Sequence, residues 1–300
     1  MVNVVAAMKQ LIHGLVKLAG LSPQTVEIEP GTVMNFWAPK ETTKPKNQTH
    51  EASKPAVVLA HPFAEDGILM WFPQVMALTS KYSVYVPDFL FFGGGSTTSR
   101  PDRSAKFQAE CLARGLRKLG VEKCTVVGLS YGGMVGFKMA AMYPELVEAF
   151  VASSTVIGMT ESIASRSLKK IGVSRWSELL LPETVEGVKF LFTVGNHKWP
   201  WLPEFVLFSN RKEKAELLEA LVVRDEESTG ITSYPQRIHL LWGDDDKIFN
   251  LDLAQTMKEQ LGEKATLQWI ENAGHLVQLE RPFAYNGHLK RILSSIYDSQ

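Results

Sequence analysis

Val126-Val127-Gly128-Leu129-Ser130-Tyr131-Gly132-Gly133-Met134 is an apolar, β-rich run that breaks into glycines around a single serine. The chain resumes as Val135-Gly136-Phe137-Lys138-Met139-Ala140-Ala141-Met142, a stretch suited to a helix. Together they read as strand, tight turn and helix, with Ser130 at the tip. Glycines two places before and two places after the serine permit a turn too sharp for neighbours carrying Cβ. The hydroxyl then stands clear of the sheet on strained backbone. G-x-S-x-G alone marks many small-residue turns, but here the strand and the helix that a nucleophilic serine requires lie on either side. The competing reading is a glycine-rich turn that only packs closely.

A serine hydroxyl is a weak nucleophile at neutral pH, so it needs a base for its proton and a carboxylate to hold that base in the right tautomer. Arg237-Ile238-His239-Leu240-Leu241-Trp242 reads as a buried strand ending in Gly243-Asp244-Asp245-Asp246-Lys247, a loop with three carboxylates. A second strand-like run, Ala265–Ile270, is followed by Glu271-Asn272-Ala273-Gly274-His275-Leu276. There a histidine follows a glycine where the chain returns to the same sheet edge. His239 lies inside a strand and reads as a packed residue. His13, His50, His197 and His288 have no such glycine loop, so His275 is the candidate base.

The chain order Ser, Asp, His is that of one large hydrolase fold and differs from both protease folds that use the same three residues. With these motifs the sequence resembles the α/β-hydrolase superfamily, from the strand pair near Thr25–Trp37 to the last helix near Pro282–Tyr297. The resemblance puts the acid on Asp246, three residues after the glycine of a Trp-Gly-x-x-Asp segment, ahead of Asp244 and Asp245. It puts the base on His275. Acyl transfer also needs two donors for the developing oxyanion. The amide of Tyr131, next to the nucleophile, is one; the resemblance assigns the other to Phe63, in His61-Pro62-Phe63-Ala64 after the strand Pro55–Ala60. Pro62 stands where relatives carry glycine and has no N–H, so the donor has to be Phe63. His61 reads as a structural loop residue. Segments such as Asp88-Phe-Leu-Phe-Phe-Gly look most like plant members of the family.

Strands at Tyr82–Val86, Cys124–Gly128 and Leu146–Ser153 alternate with helices at Ser104–Leu119 and Tyr131–Met142, which specifies a mainly parallel sheet covered on both faces. The expected fold is α/β, an eight-stranded α/β-hydrolase sheet with a helical cap inserted after the sixth strand. Residues 21–154 and 236–300 form the core and 155–235 the cap, with helical stretches at Glu183–Thr193 and Arg211–Val223. Trp176, Phe190, Phe192, Trp199, Trp201, Phe205 and Phe208 are expected to line a pocket for an apolar acyl or alcohol group or to form the cap's own core. The implied chemistry is hydrolysis of a small, largely apolar carboxylic ester through an acyl-enzyme, without metal or organic cofactor. C–C hydrolases, thioesterases, acyltransferases, lyases and small-molecule receptors share this scaffold. The serine argues against epoxide hydrolases, which place aspartate there.

Thirty-two basic residues balance thirty-two acidic ones, so nothing favours nucleic acid as a partner. Two cysteines, Cys111 and Cys124, lack metal-ligand spacing and read as buried free thiols of a reducing compartment. With no secretory signal or spanning segment recognised, the expected location is cytoplasmic, and Asn47-Gln48-Thr49 is read as a chance sequon. Lys40–Lys54 is polar and reads as a mobile loop. Gly93-Gly94-Gly95-Ser96 lacks a phosphate-binding frame and reads as a flexible loop near the active-site edge. In residues 1–20, Val4, Val5, Met8, Leu11, Ile12, Leu15 and Val16 recur at helical spacing. Such an amphipathic helix docks on the hydrolase body or another subunit in one reading and attaches peripherally to membrane in the other. Oligomeric state is not legible.

Overall fold

Residue 55 begins a series of short β-branched runs, each followed by an amphipathic or apolar stretch, and the computed structural model resolves this series into crossover units. It describes residues 4–40, 54–63, 66–93, 95–198, 210–228 and 234–298. Along the chain, α1 (Val4–Leu18) leads into the hairpin β1 (Leu21–Glu29) and β2 (Thr32–Pro39). Next come β3 (Ala56–Ala60), α2 (Gly67–Leu78), β4 (Ser83–Pro87), the two-residue β5 (Thr97–Thr98), α3 (Ala105–Lys118), β6 (Cys124–Leu129), α4 (Tyr131–Met142) and β7 (Val147–Ser153). A largely helical insertion holds β8 (Met159–Thr160), α5 (Glu161–Ile171), α6 (Trp176–Leu180), α7 (Val185–Gly195), α8 (Arg211–Leu221) and β9 (Val222–Val223). The chain returns through β10 (Arg237–Gly243), α9 (Leu251–Leu261), β11 (Ala265–Ile270), α10 (Val277–Glu280) and α11 (Pro282–Tyr297).

The sheet runs β1-β2-β4-β3-β6-β7-β10-β11, antiparallel through β4 at one edge and parallel thereafter. These are the eight strands expected; β5 adds a ninth, paired only with β2. Successive residues of β6 feed opposite layers. Val126 joins a core with Phe107, Phe137 and Phe150, whereas Val127 and Leu129 join one with Trp71, Leu289 and Ile296. A parallel strand buried on both faces is apolar throughout for this reason. α3 starts where the Ser104 hydroxyl accepts the Phe107 N–H (3.1 Å), a serine N-cap. Cys111 and Cys124 are buried free thiols.

The apolar stripe of α1 is wider than the surface available to it. Ile12 and Val16 are buried against the body, where α1 packs on α2 and β1. Met8, Leu11, Leu15 and Leu18 stay exposed along the other edge, while the side chains of Val4 and Val5 lie outside the described residues. Ile12→Ala is therefore expected to cost about 2 kcal/mol by leaving a cavity, and Leu18→Ala, at 85% exposure, less than about 0.5 kcal/mol. Urea midpoints of the two variants check this. No helix among the described residues is long and apolar enough to cross a membrane.

Two loop expectations meet different outcomes. Residues 41–53, with Asn47-Gln48-Thr49 and His50, lie outside the described residues, as does Gly94. The described remainder of the Gly93–Ser96 turn is bonded rather than loose. The Ser96 hydroxyl is buried, donates to the Asp88 carbonyl (2.8 Å) and accepts the Asn35 N–H (2.9 Å), pinning the turn to β2.

Candidate active site

In a parallel sheet every strand ends at the same edge, so register decides which loops meet. Ala60 pairs with Gly128, which brings the loop after β3 beside the turn after β6. Gly243 pairs with Ile270, which brings the aspartate loop beside the histidine loop. Ser130 has φ +52° and ψ −118°, a strained conformation for a residue with Cβ. Surrounding bonds hold it there. Its N–H donates to the Ser153 carbonyl (3.0 Å), and its carbonyl accepts the Thr155 hydroxyl (2.6 Å) and the N–H groups of Gly133 (2.9 Å) and Met134 (3.1 Å). Its own hydroxyl makes no cap bond to α4. Gly132 is required by close approach, since a Cβ there would overlap the backbone of Ala60 and His61. Any larger residue would push the β3 loop off the serine turn.

Asp246 and His275 are both buried, and the His275 Nδ1 lies 3.0 Å from Asp246 Oδ2 and 3.2 Å from Oδ1. Oδ1 also accepts the N–H groups of Ile248 and Phe249, each at 2.9 Å. With the carboxylate as acceptor the ring proton sits on Nδ1, which leaves Nε2 as the acceptor nitrogen. The neighbouring aspartates are engaged elsewhere: Asp244 accepts the Ala273 N–H (3.3 Å), and Asp245 contacts His197 Nδ1 (2.9 Å). Among the other histidines, His239 bonds Thr266 (2.9 Å), His288 bonds Gln268 (2.7 Å) and His13 packs on Trp37.

Ser130 and His275 line one cleft of about 360 Å³, mouth included, together with Phe63, Tyr131, Met134, Met159, Trp176, Leu180, Leu218, Leu221, Ile248 and Phe249. Its wall is apolar apart from the serine and histidine. Of the aromatics expected to line a pocket, Trp176 does so. Phe190 instead faces outward, because α7 buries Val188 and Val194 and turns its phenylalanine edge away. Trp199, Trp201, Phe205 and Phe208 lie outside the described residues. The insertion contributes mainly Met159, Leu180, Leu218 and Leu221, aliphatic residues that ordinary helix patterning does not distinguish from core.

Phe63 and Tyr131 sit at adjacent loop starts, their rings 5.9 Å apart edge to face. Below them His61 braces the loop: its Nδ1–H donates to the Pro62 carbonyl (2.6 Å) and its Nε2 accepts the Phe89 N–H (3.0 Å). The second bond needs the neutral ring, because a protonated Nε2 cannot accept. Complete burial lowers its pKa from 6.5 to about 4. Between those values the unfolded chain binds a proton that the folded one lacks, so this contribution is intact above pH 6.5 and lost as pH falls towards 4. His61→Gln is expected to be less stable than wild type by about 1–3 kcal/mol at pH 7, with a smaller gap at pH 5 in urea titrations. The loop's far end is held by Asp66, which caps α2 through the Ile68 N–H (3.0 Å) and pairs with Lys9 of α1 (2.7 Å). Asp88 accepts the Gly67 N–H (2.9 Å); burial pushes its carboxyl up to about 7.

The family model described as alpha/beta hydrolase fold matches residues 55–180. Epoxide hydrolase 4 of Mus musculus is 23% identical over 266 residues, which cover 79% of this chain and 72% of that protein. Among solved structures, lip1 of Acinetobacter baumannii AYE, described as a lipase, superposes with a TM-score of 0.81 at 20% identity over 97% of both chains. A bacterial membrane phospholipase A gives 0.75 at 22% identity, over 98% of this chain and 91% of its own. The sharp turn at Ser130, the sheet order and the matched segment agree, and the chain has the α/β-hydrolase fold.

Proposed function

We propose that this hydrolase cleaves a carboxylic ester of a small, largely apolar substrate through an acyl-enzyme intermediate. The observation that carries the reading is one cleft lined by both Ser130, raised on strained backbone, and His275, whose Nδ1 is held by buried Asp246. His275 Nε2 takes the Ser130 proton as the oxygen attacks the ester carbonyl. The amides of Phe63 and Tyr131 receive the oxyanion, and protonation by His275 releases the alcohol. Water then enters, gives its proton to His275 and attacks the acyl carbon, restoring the serine. A serine at position 130 favours this route over epoxide opening, in which the superfamily uses a carboxylate nucleophile. The apolar wall favours an unbranched or otherwise greasy acyl group over a charged one.

The reading is tested by reacting the protein with a fluorophosphonate probe and following p-nitrophenyl esters of short and medium chain length. Labelling with turnover is the expected result. Absence of labelling on folded protein would overturn it, and ligand-dependent thermal stabilisation without product would move the chain to the receptors on this scaffold. Pocket size is read separately. Leu221→Trp, on the cleft wall, is expected to lower the ratio of medium- to short-chain kcat/KM by about tenfold.

A further inference from the structure

The last turn of α7 does not end freely against the core; it is fastened to both loops that carry the candidate acid and base. The Glu280 carboxylate, half-buried at the end of α10, gathers three backbone N–H groups. Oε2 accepts from Gly274 (2.8 Å) and from His197 (3.1 Å), and Oε1 accepts from Lys198 (2.6 Å). Gly274 immediately precedes His275, whereas His197 and Lys198 belong to the insertion. A Cβ on Gly274 would lie 2.7 Å from the backbone of Asn196 and His197, so the two strands of chain touch with no room for a side chain. The Leu276 N–H donates to the Gly195 carbonyl (3.0 Å). On the acid side, the Lys247 ammonium donates to the carbonyls of Thr193 (3.2 Å) and Asn196 (3.3 Å), and His197 contacts Asp245.

We propose that Glu280 is a positioning residue that sets His275 and seats the end of the insertion together, so that the seating of residues 193–198 and the alignment of the base are coupled. The proposal rests on the serine-hydrolase reading for its kinetic consequence but not for its mechanical one. One carboxylate serves donors from both segments, and neither can leave without stranding the other's partner. An amide in its place offers one oxygen and turns an NH2 group towards at least one N–H donor.

The test compares wild type, Glu280→Gln and Lys247→Met by three measurements: fluorophosphonate labelling rate, kcat and KM for ester, and amide exchange of the segments 193–198 and 272–276. For Glu280→Gln at temperatures below its Tm, labelling and kcat/KM are expected to fall tenfold or more, as about 1 Å of misplacement can cost a hundredfold. The loss should fall in kcat with KM near wild type, because a misplaced base takes the Ser130 proton less well while the apolar wall still holds ester. Both segments should lose protection together. Lys247→Met removes two of the bonds to the insertion on the acid side and should speed exchange in 193–198 and, through Glu280, in 272–276; it carries the test should the glutamine variant fail to fold. An unchanged kcat with only a lowered Tm, or loosening of 193–198 with 272–276 unmoved, would overturn the proposal. Wild type that does not label would sink the serine reading instead, and the exchange arm would still decide the coupling.

Discussion

Ser130→Ala is expected to keep the fold, lose fluorophosphonate labelling and reduce ester turnover by about three to six orders of magnitude. The hydroxyl contributes nothing to the start of α4, since it makes no cap bond. Alanine also keeps the Cβ, so the strain at φ +52° is the same in both proteins and cancels from their stability difference. What is lost on the proposed route is the attacking oxygen. Activity that remains in the variant would come from the amides of Phe63 and Tyr131 acting on bound ester with water as nucleophile, a residue of catalysis that survives the loss of a triad member. Equal urea midpoints with vanished labelling are the expected pair of results. Turnover undiminished in the alanine variant would place the chemistry elsewhere.

Asp246→Asn should lower kcat by about four orders of magnitude at neutral pH while leaving ester KM close to wild type. The side chain keeps its shape, and one oxygen can still accept the Ile248 and Phe249 N–H groups, so the loop survives. The amide NH2 then faces His275 Nδ1, and the ring answers by carrying its proton on Nε2. That nitrogen faces the cleft and can no longer take a proton from Ser130. Asp244→Asn and Asp245→Asn lack this consequence, because their carboxylates bond the Ala273 N–H and His197. A variant series in which Asp245→Asn proved the most damaging would refute the assignment of the acid.

The parts of this protein that were legible beforehand are those where one backbone requirement coincides with one residue type. The Ser130 turn needs glycine at positions dictated by steric contact, and the structure shows the contact at Gly132 against Ala60 and His61. α3 begins at Ser104 because a hydroxyl caps it. The acid was ambiguous among three adjacent aspartates for an equally physical reason: which carboxylate points inward depends on the path of a loop closed by Ala273 and the insertion, partners 28 or more residues away in the chain. α2 left no periodic signal, since it carries Pro73 inside and buries residues around much of its circumference, including Trp71, Gln74 and Val75. The stripe on α1 was legible, yet its division into a buried edge at Ile12 and Val16 and an exposed edge at Leu11 and Leu18 depends on how much surface α2 and β1 present. Nor does anything local about Glu280 announce that its carboxylate will serve three amides from two distant segments.

The two cysteines carry a consequence for anyone handling the molecule. Cys111 sits on the inner side of α3 and Cys124 at the buried start of β6, and desolvation pushes the Cys111 thiol up to about 12 and raises that of Cys124 as well. Thiolate, the form that an alkylating reagent captures, is thus scarce at either site while the chain is folded. Opening the sheet restores both to the ordinary reactivity of a free thiol. Alkylation kinetics therefore act as a clock for unfolding written into the chain, one tick in a helix and one in the central strand, and the two rates will agree only if those layers come apart together.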